Sequence, residues 1–130
     1  LNEAGKTVRG SKIAILGVAY KPGIKDIQLT PVESVITRLR DMGAMVKIFD
    51  PMYKGDNVFG LRVDETLEDA IRGADCIVVG TAHSEFRNLD LAELSRMMKR
   101  KAAFVDARNV VQPALVVKAG FAYRGVGRKP

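Results

Sequence analysis

Lys21 and Arg108 are the residues whose types and positions carry the most chemistry in this sequence. Lys21 lies in Gly17-Val18-Ala19-Tyr20-Lys21, directly after the apolar run Ile13 to Leu16, and the segment continues through Lys25 and Asp26 to Thr30-Pro31. An apolar run that stops at a glycine reads as a buried strand. Thr30 is expected to cap a helix with Pro31 at its first position. Strand, polar loop and helix in that order put the loop at the carboxyl edge of a sheet, where open α/β folds bind ligands. Positive charge from Lys21 and the positive end of the helix dipole then favour an anion, most simply a phosphate or diphosphate. Arg108, in Asp106-Ala107-Arg108-Asn109, follows a later apolar run and is expected on the same edge. It could bind ribose, base or phosphate oxygens, or pair with Asp106 to fix the loop, and both roles can hold together. Tyr20 is read either as flanking a nucleoside or as a packing tyrosine, and Lys25 as a surface lysine. Asp26 with Thr30 and Pro31 organises the loop and the helix start.

Other reactive residue types offer less. Cys76 sits inside the apolar run Cys76 to Val79 without a histidine at useful spacing, which reads as core packing. His83, the single histidine, falls in a loop at the ligand edge and is read as loop structure or a rim residue. Asp50, Asp75 and Glu85 have no metal-ligand spacing, and one histidine with one cysteine makes no zinc site. The dinucleotide fingerprint Gly-x-Gly-x-x-Gly is missing, because Ala19 takes the second glycine position and Tyr20 and Lys21 would crowd a pyrophosphate.

These residues need a scaffold, and the periodicity supplies one. Val32, Val35, Ile36 and Leu39 recur at helical spacing over about Pro31 to Met42, with Gly43 as the stop. Ala44 to Phe49 reads as a second strand ending at Asp50-Pro51, and residues 52 to 63 as a loop. Thr66 is expected to cap a short helix through Arg72, ended by Gly73, and Asp90 another through about Arg100. Cys76 to Val79 and Ala103 to Val105 supply the third and fourth strands. Pro113 to Lys118 is one helical turn or an extended segment, and Phe121 to Val126 a final strand. Strands alternating with helices predict an α/β, Rossmann-like, doubly wound and mainly parallel sheet with flanking helices.

Composition bounds the classes. The chain has 130 residues with 47% hydrophobic and 28% charged residues, which suits one globular domain. No apolar run approaches the roughly 20 residues of a membrane span. No secretory signal opens the sequence and only one cysteine is present, so a cytoplasmic setting without disulfides is expected. The net charge of +6 invites a nucleic-acid reading. Its clearest basic run, Lys99-Arg100-Lys101, is expected at a helix C-terminus, where cations suit the dipole. No aromatic-interleaved basic stripe accompanies it, so no nucleic-acid partner is assigned. Leu1 to Thr7 reads as the tail of a preceding helix, with Gly10-Ser11 as the hinge into residues 11–130, as expected of a piece of a longer protein.

The order of motifs carries a family resemblance. Gly17-x-Ala19-Tyr20-Lys21 with Asp26 and Thr30-Pro31 resembles the opening of the C-terminal domain of the UDP-glucose/GDP-mannose dehydrogenase family. Val46 to Pro51, Ala74 to Val79 with Thr81 to Phe86, Val105 to Asn109, and Gly120 to Arg128 resemble its later segments, in order. The resemblance implies a UDP-sugar-binding domain of an NAD-dependent UDP-sugar 6-dehydrogenase, with Tyr20, Lys21 and Arg108 at the substrate nucleotide. Two residues after Asp26 the family carries an arginine that reaches the cofactor; here Gln28 stands there and offers a hydrogen bond without charge. Gln28 is therefore the candidate NAD contact of this domain. The resemblance also implies that the main NAD site and the catalytic thiol lie in an N-terminal domain and other segments, that a central helical domain makes the parent a homodimer, and that this part alone is inactive. The chain's ending is most similar to members acting on UDP-N-acetylmannosamine. The other reading of the residues is an independent nucleotide-binding or regulatory α/β module without catalysis.

Overall fold

Ile13 to Leu16 form a strand because a continuous apolar run can be buried on both faces only inside a sheet covered from both sides. The computed structural model describes residues 8–19 and 31–125. In it β1 (Lys12–Leu16) lies between β2 (Met45–Phe49) and β5 (Cys76–Val79), followed outward by β6 (Ala103–Asp106) and β7 (Ala122–Gly125). All five strands are parallel, in the order β2-β1-β5-β6-β7. The register places Leu16 opposite Phe49 and Val79, Val79 opposite Asp106, and Asp106 opposite Gly125. All five carboxyl ends therefore stand in one row, and the loops that leave them share one edge.

Helix α1 (Val32–Asp41) lays Val32 and Ile36 on one face, against Ile13, Ile15, Val46 and Ile48. Helices α2 (Leu67–Ile71), α3 (Leu91–Met97) and α4 (Pro113–Lys118) cover the other through Ile71, Leu94 and Val116, against Leu16, Ile77 and Phe104. This is the expected doubly wound sandwich.

Local signals account for most boundaries. Thr66 accepts a hydrogen bond from the Asp69 N–H at 3.1 Å and Asp90 from the Glu93 N–H at 3.1 Å, so both expected caps form. Gly73 closes α2 in the left-handed region at φ 69°. Cys76 is buried in the core, as expected of a strand cysteine. Three expectations change. Residues 52–63, read as a loop, contain the hairpin β3 (Asn57–Val58) and β4 (Leu61–Arg62), whose turn residues Phe59 and Gly60 both have positive φ. A phenylalanine in that turn hides the usual Asn-Gly signature. Helix α3 stops at Met97, so Lys99-Arg100-Lys101 lies past the helix, where Lys99 Nζ reaches Asp75 at 3.4 Å. Pro31 occupies the capping position of α1 rather than its first turn, with no side-chain cap, and Thr30 lies outside the described residues. Among the described residues no helix is long and apolar enough to cross a membrane.

Candidate functional site at the carboxyl edge

The chain leaves β1 toward β2 on one side and returns through β5 on the other, so the connections part between β1 and β5. That is the switch point at which open α/β sheets bind ligands. Gly17 and Gly80 are the first residues beyond the two strands, and their backbones touch. A Cβ on Gly80 would stand 2.7 Å from the Gly17 carbonyl oxygen and 2.9 Å from Val32 of α1. One on Gly17, which has φ 95°, would stand 2.5 Å from Thr81 Cβ. Both positions require glycine on steric grounds. Beside them opens a pocket of about 360 Å³, walled by Ile15, Val32, Val35 and Val78 and rimmed by Gly80 and Arg108. An apolar cleft with Arg108 at its rim suits a flat, partly apolar group joined to an anionic one.

Arg108 is held there by two ties. Its backbone N–H donates to Asp106 Oδ1 at 3.1 Å, and its Nε donates to the Gly80 carbonyl at 3.1 Å. Asp106 is fully buried and also accepts the Val111 N–H at 3.0 Å, so one carboxylate shapes the whole β6 exit. The Asp106 considered as an Arg108 partner thus fixes the loop through backbone amides, while the guanidinium is steered toward the β5 exit. Tyr20, Lys21, Lys25, Asp26 and Gln28 lie outside the described residues.

The β1 exit is tied just as closely. The Gly17 N–H donates to the Phe49 carbonyl at 2.8 Å, and the Val18 N–H to Asp50 Oδ2 at 2.9 Å. The Ala19 carbonyl accepts the Thr81 hydroxyl at 2.6 Å. In a dinucleotide site the amides of this turn point at a pyrophosphate. Here, among the described residues, the β1 exit turns its Gly17 and Val18 amides to partners within the protein rather than to a pyrophosphate.

Of the two places expected for His83, the structure gives loop structure and not the rim. The residue is 1% exposed, with Nε2 3.0 Å from Oδ2 of Asp50, itself 0% exposed. The two stand 33 positions apart, and only the alignment of the β2 and β5 exits brings them together. Sequence reasoning missed this pair. The only signal available was that Asp50 and His83 each follow a strand on the same edge.

This geometry can be compared with known proteins. Residues 14–113 match the UDP-glucose/GDP-mannose dehydrogenase family, UDP binding domain. The chain belongs to that family. It is 38% identical over 128 residues to the UDP-glucose 6-dehydrogenase of Rhizobium meliloti, with 96% of this chain and 29% of the relative covered. It is 36% identical over 130 residues to the UDP-N-acetyl-D-mannosamine dehydrogenase of Methanococcus maripaludis, covering 98% and 29%. Among solved structures, the NDP-N-acetyl-D-galactosaminuronic acid dehydrogenase of Methanosarcina mazei superposes with a TM-score of 0.92 at 34% identity, over 99% of this chain and 27% of that one. The chain thus spans between a quarter and a third of the length of these relatives. As a family member it corresponds to the UDP binding domain of larger dehydrogenases, and its Rossmann-like architecture is the one they share.

Proposed function

We propose that this chain binds the UDP end of a nucleotide sugar, as the C-terminal domain of an NAD-dependent UDP-sugar 6-dehydrogenase that oxidises the sugar C6 alcohol to a carboxylate. The observation that carries the reading is Arg108, braced by the Gly80 carbonyl at the rim of an apolar pocket at the sheet's switch point. The pocket offers apolar walls for a pyrimidine and ribose, and the guanidinium offers a forked donor for phosphate oxygens. Lys21, two residues past Ala19, is proposed as a second cation for the diphosphate, with Tyr20 flanking the nucleoside.

Binding at the UDP end would hold the remote C6 carbon in register with reactive groups supplied elsewhere. The described residues support that division of labour. Cys76 and His83 are both buried, at 3% and 1% exposure, so neither is presented to the edge as a nucleophile or its base. NAD is proposed to bind mainly to a separate N-terminal domain, consistent with the missing dinucleotide fingerprint after β1, with Gln28 at most a neutral hydrogen-bonding contact. The domain division, with residues 1–10 as a helix tail and hinge, belongs to the same proposal, as do a homodimeric parent and a cytoplasmic setting.

Calorimetric titration with UDP, UDP-glucose and UDP-N-acetylmannosamine tests the reading. The three affinities are expected to agree within about tenfold, a spread of about 1.4 kcal/mol, because the shared UDP supplies the contacts. Binding of a UDP-sugar with no response to UDP would move the recognition to the sugar and overturn it. A regulatory nucleotide-binding module would instead select a different nucleotide.

A further inference from the structure

The mechanism proposed above uses neither Asp50 nor His83, yet they form a fully buried polar contact at the ligand edge. Oδ2 of Asp50 takes both the Val18 N–H at 2.9 Å and His83 Nε2 at 3.0 Å, while Oδ1 takes the Met52 N–H at 2.8 Å. With N–H donors converging on it, the carboxylate serves as acceptor, so Nε2 is the nitrogen that carries the hydrogen. One carboxylate therefore joins the exits of β1, β2 and β5.

The strap of residues 80–83 that carries His83 makes three other contacts across the edge. The Gly80 N–H donates to the Leu16 carbonyl at 2.8 Å, Thr81 holds the Ala19 carbonyl at 2.6 Å, and the Gly80 carbonyl receives Arg108 Nε at 3.1 Å. At the far end of the strap His83 is anchored on Asp50 and packs edge-on against Phe86, with ring centroids 5.7 Å apart. The chemistry of Arg108 is thus referred, through four residues of backbone, to a buried hydrogen bond between His83 and Asp50.

We propose that His83 is a positioning residue for nucleotide binding: its hydrogen bond to Asp50 sets the strap whose Gly80 carbonyl aims Arg108 and whose Thr81 hydroxyl holds the β1 exit. A leucine at His83 fills similar space but leaves the Asp50 carboxylate short of a donor, so the strap loses its anchor. A glutamine places its Nε2 amide where the imidazole Nε2 stood and keeps the donor. A purely space-filling histidine would be replaced better by leucine than by glutamine. A positioning histidine requires the reverse order.

The inference rests on the UDP reading, and the test separates the two. The wild-type chain, His83→Leu, His83→Gln and Thr81→Val are titrated with UDP, and amide exchange is followed at Val18. Val116→Ala, a truncation in α4 remote from the strand exits, controls for lost stability. His83→Leu is expected to weaken UDP binding about tenfold and speed exchange at Val18, whereas His83→Gln stays within about threefold of wild type. Val116→Ala is expected to lower the melting temperature without changing affinity. If His83→Leu does not fold, Thr81→Val decides: its loss of the Ala19 tie is expected to weaken UDP binding about threefold or more. Wild-type affinity in His83→Leu, or in Thr81→Val where leucine is not tolerated, overturns the positioning role while leaving the UDP reading intact. A leucine variant that binds better than the glutamine variant overturns it as well. Failure of the wild-type chain to bind UDP removes both.

Discussion

Replacing Arg108 with alanine should weaken UDP binding strongly while leaving the fold in place, and the geometry sets both magnitudes. The substitution removes the side-chain hydrogen bond from Nε to the Gly80 carbonyl at 3.1 Å. It spares the two backbone donors, Arg108 N–H and Val111 N–H, that Asp106 uses to shape the β6 exit. A guanidinium bond to a carbonyl contributes at most about 1.5–3 kcal/mol, less at this part-exposed rim, so the melting temperature should fall by several degrees without loss of the fold. A charge-assisted contact to a bound anion contributes about 1.5–3 kcal/mol, which is a loss of about 10- to 150-fold in affinity. Arg108→Lys should recover only part of this, because lysine keeps the charge but has no Nε–H to place against Gly80 and no fork for phosphate. Calorimetry at low and at physiological salt provides the assay. The wild type should lose more affinity with added salt than Arg108→Ala, since screening acts on a charge the variant lacks. If Arg108→Ala binds UDP as tightly as the wild type at low salt, Arg108 is not in the nucleotide site and the placement argued from the switch point is wrong.

Further outcomes follow from the same edge. Lys21→Ala is expected to weaken UDP binding by about tenfold, and unchanged affinity would remove Lys21 from the site. Gly80→Ala must push apart two exits whose clearance is 2.7 Å at the Gly17 carbonyl and 2.9 Å at Val32. It should cost about 1–3 kcal/mol in urea unfolding and weaken UDP binding as well, and a fully stable variant would contradict the close approach. Cys76→Ala, within the sheet, should cost about 1 kcal/mol of stability and leave UDP affinity within about twofold, whereas abolished binding would give the thiol a role it lacks here.

The layered fold was readable because its central strands β1 and β5 are apolar runs and helices α2 and α3 start on side-chain caps. Ile13–Leu16 and Cys76–Val79 have no polar alternation, which only interior parallel strands tolerate, and Thr66 and Asp90 cap as their types demand. Segments governed by backbone conformation rather than side-chain pattern were opaque. Phe59 in the left-handed region turns a hairpin that nothing in its type announces. The basic surplus misleads in the same way, because position along the chain does not reveal pairing. Lys47, Arg62, Arg96 and Lys99 each meet a carboxylate within 4.0 Å, pairings that composition does not show. Of the candidate site, Arg108 was legible from its place after a strand, since every parallel strand ends on the ligand edge. The buried Asp50–His83 contact was not, because it depends on the register between strands that no local pattern encodes. Sequence assigns residues to an edge; register decides which of them touch.

The central claim is that the carboxyl edge of this sheet recognises a uridine diphosphate. Titrating the chain with UDP and, in parallel, AMP tests it most directly, since both carry a nucleoside and phosphate but differ in base size and phosphate number. The account predicts saturable one-to-one binding of UDP with affinity at least about tenfold above that for AMP, a difference of about 1.4 kcal/mol. Equal affinities, a preference for AMP, or no heat with UDP would contradict it.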